Sequence, residues 1–84
     1  MCHYNYLHHI KNFLQINGTT SFTPAEGRKI NFVSQGDGEH AIIKIDHGES
    51  YNTSSAKELY DKIFKILRRC NEEEETLYRI FYDY

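Results

Sequence analysis

The side chains with the most chemical potential in this chain are its five histidines and two cysteines. Cys2, His3, His8 and His9 crowd the N-terminal stretch, and thiolate and imidazole are the ligands zinc favours. Two ligands on one helix must share a face, which requires a spacing of three or four. His3, His8 and His9 instead lie five and six residues apart. His8 and His9 are chain neighbours and point in different directions. The group reads as exposed polar helix positions, and no metal or other cofactor is expected. A second group, Asp46-His47-Gly48-Glu49-Ser50, holds an acid, a base and a hydroxyl. A catalytic triad assembles from distant segments, so adjacency along the chain is the wrong geometry. The chain has no nucleophile elbow and no HExxH, and it is short for a deep pocket. This segment reads as a solvated loop after a strand, and no enzymatic activity is expected. Gly36-Asp37-Gly38 lacks the Lys-Ser/Thr and the helix of a phosphate loop, and reads as a hairpin turn.

Two charged surfaces remain. Lys57, Lys62, Lys65, Arg68 and Arg69 lie on the polar side of one predicted helix. With Arg28, Lys29 and Lys44 they would form a phosphate-binding patch. Glu58 and Asp61 interrupt it, and the pairs Glu58–Lys62 and Asp61–Lys65 at i,i+4 read as an ordinary solvated helix face. The other surface is acidic and aromatic. Glu72, Glu73, Glu74 and Glu75 run directly into a segment carrying Tyr78, Phe81, Tyr82, Asp83 and Tyr84. Tyrosine and phenylalanine are common interface anchors, and an acidic, Tyr-rich face suits a basic partner.

The elements that would position these groups follow from periodicity. Ser54–Cys70 is the strongest signal. Ala56, Leu59, Tyr60, Ile63, Leu67 and Cys70 recur at helical spacing, with Phe64 and Ile66 widening the stripe. Ser55-x-x-Glu58 marks the start as a capping box. Tyr4–Ile16 reads as a first helix with Tyr6, Leu7, Ile10, Phe13 and Leu14 on its apolar face, ended by Asn17-Gly18. A β-prone run follows from Thr19, then the turn Pro24-Ala25-Glu26-Gly27. Strands are expected at Lys29–Ser34, with Ile30 and Phe32 facing one way and Asn31 and Val33 the other, and at His40–Asp46, with Ala41, Ile43 and Ile45 inward. His47–Thr53 reads as a polar connection. Asn71 reads as a cap before a negative first helical turn, so the segment after it is expected to be a short helix, with an edge strand as the alternative. The expected fold is α+β: a helix, a three-stranded antiparallel meander, a long helix and a short C-terminal helix, in one domain spanning 1–84.

Composition narrows the class. Ten Lys and Arg against twelve Asp and Glu give a net charge of −2, which excludes a global basic field for nucleic acid. Two cysteines make no disulfide framework, and the N-terminal stretch lacks the apolar run of a secretory signal. No segment approaches the roughly 18 apolar residues of a membrane span. The reading is a reduced, cytoplasmic protein with no membrane partner.

Two families share this layout. The helix–meander–helix order over residues 4–70 resembles the double-stranded RNA-binding domain. The last helix of that family opens on a lysine cluster, matched here by Lys57 within Ser54-Ser55-Ala56-Lys57-Glu58. This resemblance implies nucleic-acid binding through the basic side of the helix. The whole chain, with its acid-rich segment Glu72–Glu75 and Asp83, resembles the small phage-encoded anti-CRISPR proteins of type II systems. That resemblance implies an inhibitor of a host defence nuclease in a bacterial cytoplasm. It would bind a basic effector complex by imitating phosphates or through another surface. The second reading is the primary expectation, with Glu72, Glu73, Glu74, Glu75, Tyr78, Tyr82, Asp83 and Tyr84 as the partner-binding set.

Overall fold

Alternation in Ile30-Asn31-Phe32-Val33-Ser34 sets the plan of the molecule. Ile30, Phe32 and Ser34 are buried, while Asn31 and Val33 are half-buried on the other side. A sheet with one apolar face must be covered on that face alone. The computed structural model describes residues 6–25 and 27–84. Their order is α1 (Leu7–Leu14), β1 (Thr19–Phe22), β2 (Ile30–Ser34), β3 (Ala41–Ile45), β4 (Ser50–Thr53), α2 (Ala56–Arg69) and α3 (Thr76–Phe81). The strands form an antiparallel meander in sequence order. Cys2, His3 and Tyr4 lie outside the described residues, and with them the N-terminal ligand group, the expected helix start and any contact between Cys2 and Cys70. No helix among the described residues is long and apolar enough to cross a membrane.

The α+β class and the element order agree with the sequence reading, with one addition. The stretch read as a polar connection carries a fourth strand. Tyr51 pairs with Ile43 and Thr53 with Ala41, so both fall on the inner face. Thr53 is buried and its hydroxyl donates to the Ala41 carbonyl at 3.2 Å. Ser50 and Asn52 face out and hide the strand in a hydropathy pattern. The inner face is covered by the helices, and the core gathers Ile10, Phe13 and Leu14 of α1, Leu59, Tyr60, Ile63, Ile66 and Leu67 of α2, and Leu77, Ile80 and Phe81 of α3. Phe81 lies 5.2 Å from Phe13 and 5.5 Å from Phe32 between ring centroids, joining α3 to α1 and to the sheet.

The hairpin turn does a second job. The Gly38 amide donates to the Leu14 carbonyl at 2.8 Å, satisfying one of the acceptors left open at the end of α1. Gly36 and Gly38 have φ of 80° and 81°, and a Cβ on Gly36 would sit 3.1 Å from that of Asn17. Glycine is needed here for conformation and for close approach. The expected glycine cap at Gly18 is not used. Gly18 does not have a positive φ, and α1 ends in tight turns with Gln15 and Ile16 amides donating to Asn12 and Phe13 carbonyls.

Both ends of α2 are capped. Ser55 accepts from the Glu58 amide at 3.1 Å, as the capping box requires. The Glu58 carboxylate accepts from the Ser54 hydroxyl at 3.1 Å. At the other end Asn71 adopts φ 60°. The Glu72 amide donates to the Leu67 carbonyl at 2.8 Å and the Asn71 amide to that of Arg68 at 3.2 Å. That pair of bonds is a Schellman motif with asparagine in the left-handed position. Asn71 therefore closes α2 and is not the N-cap of α3, which begins only at Thr76. The two roles differ in what they tolerate. Asn71→Gly is expected to match or exceed the wild type in urea unfolding, and Asn71→Ser to lose about 1 kcal/mol. An N-cap would give the opposite order, since serine caps as well as asparagine.

Candidate functional site

α3 is six residues long and sorts its side chains by face. Leu77, Ile80 and Phe81 are buried, while Tyr78 and Tyr82 are 43% and 58% exposed. A spacing of four brings the two tyrosines onto adjacent turns of one outer stripe, with ring centroids 5.8 Å apart. Packing of α3 beside α1 extends this stripe. Tyr78 lies 5.7 Å from Tyr6 and meets the edge of His9 at 5.2 Å, and His9 lies 3.9 Å from His8. The result is a continuous ring surface of Tyr6, His8, His9, Tyr78 and Tyr82 drawn from two helices. Nδ1 of His9 is buried with no hydrogen-bond partner among the described residues. Loss of hydration, and secondarily the neighbouring His8, hold the His9 pKa below its ordinary 6.5. Tyr6, His8 and His9 were not legible as part of this surface, because only the packing of α1 on α3 unites them.

The glutamate run is divided by its conformation. It forms the link from α2 to α3, with the Thr76, Leu77 and Tyr78 amides donating to the carbonyls of Glu73, Glu74 and Glu75. The Glu72 carboxylate accepts from the Ala25 amide and the Thr76 hydroxyl, both at 3.4 Å. The Glu74 carboxylate accepts from the buried Tyr60 hydroxyl. Glu73 and Glu75 are exposed, as is Asp83. Tyr84 is half-buried, edge-on to Phe13 at 5.0 Å, and its main-chain oxygen accepts from the Asn12 side chain at 2.7 Å. Of the partner-binding set, then, Tyr78, Tyr82, Glu73, Glu75 and Asp83 are presented to solvent. Glu72, Glu74 and Tyr84 hold the C-terminal segment in place. Arg79 is the one cation of α3 and is also exposed.

The basic set is dispersed. Lys57, Lys65, Arg68 and Arg69 are exposed on α2, but Lys62 lies 4.8 Å above the Tyr51 ring and Arg68 5.6 Å from that of Phe64. Arg69 turns toward the sheet and interacts with the Tyr51 hydroxyl. Neither Glu58–Lys62 nor Asp61–Lys65 forms an ion pair among the described residues. Asp46-His47-Gly48 is the β3–β4 turn, with His47 at φ 58°. The Glu49 carboxylate accepts from the Tyr51 hydroxyl and holds the phenol pKa above its ordinary 10.0. The ingredients of a nucleophilic site are thus laid along a hairpin. Among the described residues no three His, Cys, Asp or Glu side chains are grouped to hold a metal ion.

Away from the aromatic surface, Asp37 and His40 clasp the β2–β3 turn. Asp37 accepts from the Glu39 and His40 amides at 2.8 Å each and pairs with His40 Nδ1 at 2.6 Å. The His40 and Glu39 amides, then the His40 ring, bring the Asp37 pKa from 3.8 to about 2. The Asp37 carboxylate in turn raises His40 above 6.5. Asp37 contributes above its unfolded value and loses that contribution as pH falls toward 2. His40 contributes fully below its unfolded value and loses its share as pH rises through the raised folded value. The turn is therefore expected to be tightest between roughly pH 4 and 6.5. In an NMR titration the His40 midpoint should exceed that of a free histidine and return to it in Asp37→Asn. A His40 midpoint unchanged by that substitution would remove the clasp. Comparison of this chain with protein-family models, curated proteins and solved structures found no match.

Proposed function

We propose that this protein is a small non-enzymatic binding module that inhibits its target through the Tyr78–Tyr82 face. The observation that carries the reading is the pair of half-exposed tyrosines four residues apart, Tyr78 in α3 and Tyr82 at its C-cap, with Tyr78 steadied by ring contacts with Tyr6 and His9. Large rigid rings that are already ordered lose little freedom on binding, which is why tyrosine dominates many interfaces. Glu73, Glu75 and Asp83 give the neighbourhood a negative bias that fits a basic partner. The partner class follows from the resemblance to the small type II anti-CRISPR proteins: a host RNA-guided nuclease in the bacterial cytoplasm, met at its positively charged nucleic-acid surface. The division of the glutamate run argues for aromatic anchoring with an acidic rim over imitation of a phosphate row. Direct binding of nucleic acid by α2 is the weaker reading, since Glu58 and Asp61 break its exposed cations.

The test is inhibition of target-DNA cleavage by a guide-loaded type II nuclease, with affinity measured by interferometry. Tyr78→Ala combined with Tyr82→Ala should raise Kd by roughly 100-fold or more, chiefly through faster dissociation. Glu73→Gln with Glu75→Gln should slow association several-fold at low salt and leave dissociation nearly unchanged. Equal inhibition by the double tyrosine variant would retire this face. Tight binding of duplex RNA or DNA with a steep loss in salt would move the function to α2.

A further inference from the structure

A cavity of about 420 Å³ opens at the C-terminal end of α2, against β2, β3 and the β1–β2 loop. Its volume lies in the range of small-molecule sites. Three isoleucines from three elements make its apolar wall: Ile30 of β2, Ile45 of β3 and Ile66 of α2. Ile30 and Ile66 are 1% and 5% exposed, so this wall is continuous with the core. Two guanidinium groups, Arg28 and Arg69, and the Glu49 carboxylate line the cavity with it. Among the described residues neither arginine has a carboxylate within ion-pair distance. Arg28 is seated against the β3–β4 turn, where a Cβ on Gly48 would lie 3.3 Å from its Nη1.

We propose that this cavity binds a small carboxylate with an apolar body. Two guanidinium groups and one carboxylate leave the lining with a single excess positive charge. A monoanion balances that charge, while a dianionic phosphate would exceed it. The planar fork of arginine matches a carboxylate in two bonds, and the isoleucine wall takes the hydrocarbon. Glu49 and Arg69 both meet the Tyr51 hydroxyl, Glu49 as the acceptor of its proton, and among the described residues Glu49 forms no ion pair with either arginine. The negative end of the α2 dipole opposes an anion here. Arg69, at the last helical position, offsets it, and the Schellman bonds occupy the Leu67 and Arg68 carbonyls. The site shares no lining residue with the Tyr78–Tyr82 face and does not depend on its role.

The probes are hexanoate, 1-hexanol and acetate, added to the full chain carrying Cys2→Ser. Hexanoate should shift the Ile45, Gly48 and Arg69 amides saturably in NMR spectra. It should also slow iodoacetamide alkylation of Cys70, which lines the same cavity. Hexanol and acetate should bind at least about tenfold more weakly. Arg28→Gln and Arg69→Gln should each weaken hexanoate by about tenfold and leave hexanol unchanged. Arg69→Lys, which keeps the charge and loses the fork, should fall between. Both arginines are exposed, so an unchanged thermal midpoint is the control for folding. Equal binding of hexanol and hexanoate would make the cavity an unselective apolar gap. Equal binding of acetate would make it a site for an adventitious ion only. Either result, or the lack of saturable shifts at these amides, overturns the proposal.

Discussion

The contact among Phe13, Phe32 and Phe81 is the constraint on which the rest of the structure depends. Each ring is fully buried, and each comes from a different element: α1, β2 and α3. A sheet of four short strands exposes one apolar face, and α2 alone does not cover it. α1 lies beside α2, and α3 closes the side nearest β1, where the Thr20 hydroxyl donates to the Ile80 carbonyl at 3.4 Å. A chain of 84 residues buries about 60–65% of its unfolded surface and has little stability to lose. One core phenylalanine is worth about 3–5 kcal/mol in a domain whose total is about 5–15 kcal/mol. The last six-residue helix is therefore part of the core and not an appendage to it.

Getting α3 there requires the chain to reverse after α2, and Asn71 makes that possible. A left-handed residue turns the backbone out of the helix while its amide and that of Glu72 cap the helix behind it. The glutamates then serve as a tether. Glu72 reaches to Ala25 and Thr76, and Glu74 to Tyr60, fixing the link against the β1–β2 loop and against α2. This placement decides which way α3 faces, and with it which tyrosines meet solvent.

Much of this was legible in the sequence because burial imposes periods that charge and turn chemistry confirm. The α2 stripe, the alternation of β2, the inward set of β3, the Gly36-Asp37-Gly38 hairpin and the helical character of residues 76–81 all rest on side chains whose local and global roles agree. β4 was hidden because Ser50 and Asn52 are weak strand formers, and only Tyr51 and Thr53 point inward. Asn71 is ambiguous in sequence for a different reason. Asparagine followed by acids satisfies an N-cap rule and a C-cap rule alike, and only the backbone φ separates them. The candidate surface was half legible. Tyr78 and Tyr82 carry their spacing in the sequence, whereas Tyr6, His8 and His9 join them only through the packing of two helices some 70 residues apart in the chain.

The acidic run shows why charge read along a chain is not charge presented to a partner. Four consecutive glutamates look like a strip of phosphates only if the backbone displays them on one side. Here successive residues alternate between internal bonds and solvent: Glu72 and Glu74 are engaged, and Glu73 and Glu75 are free of such bonds among the described residues. Two exposed surface carboxylates contribute little each in water, where a surface pair is worth about 0–1 kcal/mol and is screened by salt. Two half-exposed aromatic rings held in position offer several times more on burial. The same division that weakens electrostatic imitation also builds the platform for the rings. Glu72 and Glu74 anchor the entry to α3, and that anchoring is what holds Tyr78 against His9 and Tyr6. The acidity of this segment therefore acts first inside the molecule, and of the four glutamates only Glu73 and Glu75 are left to act outward.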